Sequence, residues 1–465
     1  MRSWKALARA STALGILATH PVASHAQSTA APLIPAIQID GRGHGHGVGM
    51  AQDGALAMGK AGANAKQILG QFYPGTAIGK ASGNVRVPVL TGNNVELAFP
   101  EGGDIRGSNA SLHVAPGGTA QLYRDGDGTR VRTGAAPPPS TTTSSAPPTT
   151  TTTAPANTTT TDSTLLPGPR RTRAPNSPTP TVTSTPAPAT TTSTTSQSAS
   201  QVPLFSGSIT ATPTGAGRVG VTTRGRRYRG TMDIAPVPGG LRFVNQVPVE
   251  TYLRGMGEVR NPNWPAAGLE AQAIAARTYA LRAMSFGGEL CDTQRCQVYI
   301  GADAEYAAMD KAVAATSGQV LMYGKALASA VYSANAGGYT ANREEGFGLA
   351  GDTHPYLRAA PYLTDDRDEW TITIALTDVA RRLSYSGEVT SVNVVTRGPS
   401  GRATSLTLIG TKGDKTVSGL DFDAALGLRS TLFTLRGVMA ATVATVKGGS
   451  MLQAPPEQAP ALAGA

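Results

Sequence analysis

The residue whose neighbours best suit it to chemistry is Glu258. It closes the run Val247-Pro248-Val249-Glu250-Thr251-Tyr252-Leu253-Arg254-Gly255-Met256-Gly257-Glu258, in a stretch broken by Gly255, Gly257, Pro262 and Pro265. Such a stretch is a loop carried between regular elements, where catalytic groups tend to sit. Met256, Val259 and Trp264 flank the carboxyl. Desolvation by neighbours of this kind raises a carboxylic acid's pKa and fits it to donate a proton. A surface carboxylate paired with Arg254 or Arg260 is the competing reading of the same residues. A second candidate is the glycine-rich run Gly41–Met50 (GRGHGHGVGM), with His44 and His46 two positions apart. In an extended segment they share a face. They line a cleft, pack in a tight turn, or supply two ligands to a metal whose third ligand is not evident. Cys291 and Cys296 are too few for an all-cysteine zinc site. The acidic run Asp365, Asp366, Asp368, Glu369 lacks the spacing of a cation loop and reads as solvated.

Behind Glu258 the pattern predicts a long helix. Pro265 suits a first helical position, and Ala266–Met284 continues with strong helix formers. Leu269, Ala273, Ala276, Ala280 and Met284 fall on one stripe, the mark of an amphipathic helix. Strand-like segments precede it at Val219–Thr223, Gly230–Ile234 and Leu241–Val247. A second helix is expected at Tyr306–Thr316, then a strand pair, Val320–Tyr323 and Ala326–Ala334, joined around Gly324. Short strands follow at Ser405–Ile409 and Lys415–Ser418. In the N-terminal part, helical signals cover Ala51–Lys60 and Asn64–Tyr73, stopped by Pro74-Gly75, with strands at Asn84–Leu90 and Asn94–Phe99. Helices and strands alternate without a regular βαβ beat. The expected class is therefore α+β, mostly antiparallel strands and helices around a cleft.

The chain's 465 residues leave room for two or three domains. Residues 1–26 read as a secretory signal: Arg2, Lys5 and Arg9, an apolar stretch around Ala13–Ala18, and small residues up to Ala26. Export predicts a secreted or wall-bound protein in an oxidising compartment, where Cys291 and Cys296 could pair as a structural clip. Residues 136–202 are nearly all Thr, Ser, Pro and Ala and predict a disordered linker. It divides an N-terminal part, 33–135, from a larger part, 203–450, followed by a loose tail, 451–465. No apolar run reaches the roughly 18 residues of a membrane span, so no transmembrane segment is expected. The formal net charge is +10. Its densest cluster, Arg218, Arg224, Arg226, Arg227 and Arg229, reads as a solvated strand edge or a polyanion-attracting patch. No nucleic-acid-binding fingerprint accompanies it, and an anionic cell wall suits it equally.

The run VPVETYLRGMGEV followed by NWPAAGLEAQAIAARTYALR resembles the core of the SpoIID/LytB family of bacterial wall proteins. CDTQRCQVYIG at Cys291–Gly301, YSANAGGYTA at Tyr332–Ala341, HPYLRAAPYL at His354–Leu363 and GLRSTLF at Gly427–Phe433 are similar to later family segments. GRGHGHGVGMAQDGA at Gly41–Ala55 resembles the family's Gly-His box, here placed before the core, as in permuted actinobacterial members. That order implies that 33–135 completes the same fold. The segment after the motif carboxylate, Glu258-Val259-Arg260-Asn261-Pro262-Asn263-Trp264-Pro265, is one residue longer than the family's usual Glu-Met-Pro and Trp-Pro spacing.

The resemblance implies a lytic transglycosylase that cleaves MurNAc–GlcNAc bonds in peptidoglycan strands stripped of peptides and leaves 1,6-anhydroMurNAc ends. Glu258 takes the role of acid and then base. Arg277 and Tyr279 line the sugar cleft or serve packing, and His46 and His44 contact sugar or backbone. No cofactor is required. The family's Cys segment holds zinc in some members, but no His stands beside Cys291 or Cys296 here. The alternative the resemblance allows is a non-catalytic wall-binding protein that stimulates an N-acetylmuramoyl-L-alanine amidase.

Overall fold

A computed structural model describes residues 33–134, 202–351, 353–446 and 449–453. The expected leader, residues 136–201 of the expected linker and the tail beyond 453 lie outside the described residues. Helices and mostly antiparallel strands are mixed, the α+β class that the sequence predicts. The described chain falls into two compact units. One comprises 33–84, 252–288 and 305–453; the other comprises 85–134, 202–251 and 289–304.

The first unit is built on helices α1 (Gln52–Lys60), α2 (Ala65–Phe72), α3 (Ala266–Ser285) and α4 (Ala307–Ala315). Asn64 starts α2 with a capping box: its side chain accepts from the Gln67 amide, and the Gln67 side chain accepts from the Asn64 amide. The long helix α3 differs from the expected amphipathic stripe, because every residue from 271 to 278 is buried. Its sequence is largely Ala, so neighbours approach from all sides: α1, α2, α4 and the strand Gln319–Tyr323 pack on it. Gly268 comes so close to α1 that a Cβ there would meet the Ala55 carbonyl oxygen at 3.3 Å. Pro265 is the N-cap of α3 and not its first turn, since its ψ of 138° is extended. The core around the helix includes Ile68, Leu69, Phe72, Tyr73, Ile274 and Leu321.

The expected strand Ala326–Ala334 shortens to Ala326–Leu327 and Tyr332–Ser333. The Tyr73 hydroxyl and the Met50 amide both donate to the Val331 carbonyl, at 2.7 and 3.3 Å. Tyr332–Ser333 then pairs in parallel with Met50–Ala51. A four-stranded antiparallel sheet in the same unit has the order Glu369–Ala375, Leu33–Arg42, Phe433–Val446, Gly449–Gln453. Its second strand is thus contributed by the N-terminal end of the described chain. Ile37 and Ile39 from that strand join Leu406, Leu408 and Phe422 in a second core.

The second unit holds two six-stranded sheets. One of them pairs Asn84–Gly92, Gly240–Pro248, Thr231–Val237 and Ile209–Pro213 in that order. Val85, Val87 and Val89 alternate inward from the first of these strands. Cys291 and Cys296 are joined by a disulfide, with Cα atoms 5.5 Å apart. Tyr299, from the same CQVY segment, donates its hydroxyl to Asn245 Oδ1 at 2.8 Å. The arginine cluster is met by this unit's own acids. Arg218 pairs with Glu101, Arg224 and Arg226 with Asp292, and Arg227 with Asp303. Three carboxylates thus meet four guanidiniums, which leaves little net charge for an open basic patch.

Candidate functional site

A short helix, Val249–Arg254, ends in a turn in which the Gly255 and Met256 amides donate back to Tyr252 and Leu253. This turn delivers Glu258 to the flank of α3. The carboxyl is half-buried and lines a small pocket of about 10 Å³, room for about one water, with Leu253, Met256, Val259, Gln272, Ala273, Ala276 and Met309. All but Glu258 and Gln272 are apolar, so the pocket has the low-polarity wall that favours a protonated carboxyl. Glu258 is the one carboxylate that lines it among the described residues. Val259 is fixed by its carbonyl, which accepts from the Tyr306 hydroxyl at 2.8 Å. Burial, and then the charge of Asp310, push that phenol up to about 12, so it stays a donor.

Tyr279 lies on α3 close enough to Glu258 for the carboxylate's charge to act on its phenol. Burial first, and Glu258 second, raise its pKa. Arg277, two residues earlier, has a different position. It is fully buried and donates to the carbonyls of Gln319 and Val313 at 3.0 and 3.4 Å, with a longer bond to Thr316 Oγ1. Val313 lies in the last turn of α4 and Thr316 caps it. The guanidinium therefore satisfies carbonyls at a helix C-terminus, where positive charge is favourable. Of the two α3 residues read from sequence, Tyr279 stands beside the carboxyl and Arg277 in the scaffold.

The two histidines of the Gly-His box do not line the Glu258 pocket. His44 is exposed, with Nδ1 3.4 Å from Arg429 Nη2. His46 packs against Phe347 with ring centres 4.6 Å apart and planes tilted by 46°, and its Nδ1 accepts from the Val48 amide at 3.0 Å. Burial, reinforced by the charge of Arg402, lowers its pKa to about 4. The box keeps its shape through left-handed backbone. Gly47 has φ +73°, and a Cβ there would lie 2.1 Å from Arg402 Nη2, so only glycine fits over that buried guanidinium.

Another residue ties the box to a wall of the Glu258 pocket. Gln52, which opens α1 directly after the box, donates its Nε2 to Gln272 Oε1 at 3.3 Å, and both side chains are buried. Gln272 Nε2 has no hydrogen-bond partner, although the residue is only 1% exposed and lines the pocket beside Glu258. A buried donor left unsatisfied costs about 1–3 kcal/mol, and this one lies where a bound molecule could accept from it. The glutamines stand in the motifs AQDGA and AQAIAAR, but a polar residue within a helical pattern carries no local sign of burial. Next to Gln52, Asp53 accepts from Thr364 Oγ1 at 2.6 Å and from the Tyr362 hydroxyl at 3.0 Å. Burial raises its pKa to about 6 against those hydrogen bonds. Among the described residues, no group of three or more His, Cys, Asp or Glu side chains is arranged to hold a metal ion.

Residues 238–323 match the family model for the stage II sporulation protein SpoIID. The matched segment holds Glu258, Gln272 and Tyr279. The chain is 27% identical over 236 residues to stage II sporulation protein D of Bacillus amyloliquefaciens, covering 44% of this chain and 65% of the relative. It is 36% identical over 113 residues to an amidase enhancer of Bacillus subtilis, covering 24% of this chain and 15% of the relative. An uncharacterized protein of Brachyspira hyodysenteriae is 29% identical over 244 residues, or 49% of this chain and 64% of the relative. The chain thus spans less than two thirds of the length of each of these relatives. No solved structure matches it.

Proposed function

The chain belongs to the SpoIID/LytB family, and from that premise we propose that it is an exported lytic transglycosylase acting on peptide-free peptidoglycan strands. The observation that carries this reading is a single half-buried carboxyl, Glu258, in a largely apolar pocket, with a neutral phenol and a spare amide donor close by. In the proposed step, protonated Glu258 gives its proton to the glycosidic oxygen as the bond from MurNAc C1 to that oxygen breaks. The MurNAc C6 hydroxyl then attacks C1, and its proton goes to the Glu258 carboxylate. A C6–O–C1 ether forms, the free GlcNAc hydroxyl leaves, and the enzyme regains its starting protonation. An internal nucleophile has a high effective concentration, so no second carboxylate is needed to activate water. A hydrolase would need a pair of carboxyls flanking the bond.

Digestion of peptide-free glycan strands, followed by mass analysis, tests the reading. The expected product ends are lighter by one water than hydrolysed ends. Glu258→Gln removes the transferable proton and should abolish cleavage in protein that still melts cooperatively. Undiminished cleavage by that variant removes Glu258 from the mechanism. A second reading, a non-catalytic stimulator of an amidase, is favoured by the likeness to the amidase enhancer and by the lengthened segment after Glu258. It predicts wall binding and faster amidase turnover in a mixture, both unaffected by Glu258→Gln. Export predicts a secreted protein that begins at Gln27, which N-terminal sequencing of culture medium would check.

A further inference from the structure

The first unit carries a second concavity that shares no lining residue with the Glu258 pocket. It is an open groove of about 790 Å³, within the size range of sites that hold a small ligand. The strand Leu33–Arg42 supplies Asp40, Gly41 and Arg42, with Glu369, Trp370 and Thr371 paired opposite them. Arg397, Thr434 and Arg436 complete its polar lining. Gly41 faces Trp370 across the strands, and a Cβ there would overlap the indole at 2.2 Å. Glycine at this position therefore lets the ring lie against the strand, where Nε1 donates to the Gly43 carbonyl at 3.1 Å.

The charges in the groove are unequally used. Arg436 is neutralised by Asp40, which is further held by Thr371 Oγ1 at 2.7 Å. Arg397 donates only to main-chain carbonyls, Gly401 and Phe433, both at 2.8 Å. Arg42 sits opposite Glu369 in the strand register, and among the described residues no ion pair joins the two side chains. Among the described residues, two guanidiniums without a carboxylate partner thus share the groove with one unpaired carboxylate and an indole. Guanidinium forks match carboxylates, and an aromatic face offers a surface to a pyranose ring.

We propose that this groove binds a saccharide that bears a carboxylate, with Arg42 as the principal anion contact and Arg397 beside it. Resting on the function proposed above, the ligand is a muramyl residue whose lactyl carboxylate is free because its peptide has been removed. A peptide-bearing strand presents an amide at that position and loses the charge. The groove would then select stripped strands at a place separate from bond cleavage.

The test is calorimetric titration of the full chain with N-acetylmuramic acid, its methyl ester and glycerol 3-phosphate. The ester has the same ring and side chain without the charge. The acid should bind about tenfold more tightly than the ester, the scale of one charge-assisted contact. Arg42→Gln should remove most of that difference and leave ester binding unchanged. The Arg42 side chain makes no hydrogen bond among the described residues, so this variant should melt like the parent. Equal affinity for acid and ester, no loss in Arg42→Gln, tighter binding of glycerol 3-phosphate, or no saturable binding overturns the proposal. Glu258→Gln should bind all three probes as the parent does. Failure of the catalytic reading therefore leaves these titrations standing, and failure of the titrations leaves strand cleavage standing.

Discussion

At the scale of single residues, the neighbours of Glu258 matter as much as the acid. Gln272 is held through its carbonyl oxygen by Gln52 and keeps its amide hydrogens beside the pocket. Gln272→Leu removes that donor and leaves Gln52 Nε2 unpaired. If Gln272 positions the reacting groups, the turnover rate should fall about 10- to 100-fold with little change in KM, as when one preorganised donor is removed. Gln272→Glu should shift the acidic limb of the pH–rate profile by placing a second carboxyl near the first. A change in stability alone, with turnover and pH profile intact, would make the pair purely structural. His46 permits a prediction about pH. Its pKa is about 4 in the fold and 6.5 in the unfolded chain, so the unfolded chain takes up a proton first as pH falls. Stability is therefore fully present above pH 6.5 and is lost as pH falls toward 4. At pH 5 the loss amounts to about 2 kcal/mol. Melting curves of His46→Gln against the parent at pH 7 and pH 5 should show that difference shrinking in the variant. Asp53, raised to about 6 from 3.8 by burial, acts with the opposite sign. Its contribution is fully present below pH 3.8 and is lost as pH rises through 6. The parent curve alone would thus mix the two, which is why the variant is needed.

At the scale of elements, α3 is the part that holds the site. It presents Gln272, Ala273, Ala276 and Tyr279 toward Glu258 while Arg277 secures it to the end of α4. Replacing Arg277 by Met leaves several carbonyls unmatched in a buried position. Loss of a buried charged donor of this kind costs about 3 kcal/mol. Arg277→Met should accordingly lower the melting temperature, and cleavage per folded molecule should stay near the parent value. A direct role on the sugar would instead abolish cleavage in protein that is still folded. The disulfide Cys291–Cys296 closes a loop with a sequence separation of five. Constraining so short a loop stabilises the folded state by about 2 kcal/mol in the chain-entropy account. Cys291→Ser with Cys296→Ser should lower the unfolding free energy by that amount, and chelators should change nothing. A chelator-sensitive melt of the parent would point to bound zinc instead.

At the scale of the whole molecule, the first unit is assembled from distant parts of the chain. The strand Leu33–Arg42 lies between Glu369–Ala375 and Phe433–Val446 and buries Ile37 and Ile39 to 1% and 0% exposure. A fragment starting at residue 203 lacks this strand together with α1 and α2, which pack on α3. Such a fragment should show no cooperative melt, because two sheet edges and the core side of α3 would face water. A cooperative transition in the fragment would show that 203–465 folds alone. Much of this arrangement was already legible in the chain itself. Period-two strands, the Asn64 cap and the Ala-rich helix after Pro265 are local patterns, set by propensity and hydrogen bonding within a few residues. The apolar surroundings of Glu258 were legible in part for the same reason, since Met256 and Val259 adjoin it in sequence. Tertiary structure alone decided that α3 is buried on every side, that Arg277 caps another helix, and that Gln52 meets Gln272 across a separation of 220 positions. Burial and long-range partners depend on which surfaces the folded chain brings together, and no local pattern encodes that choice.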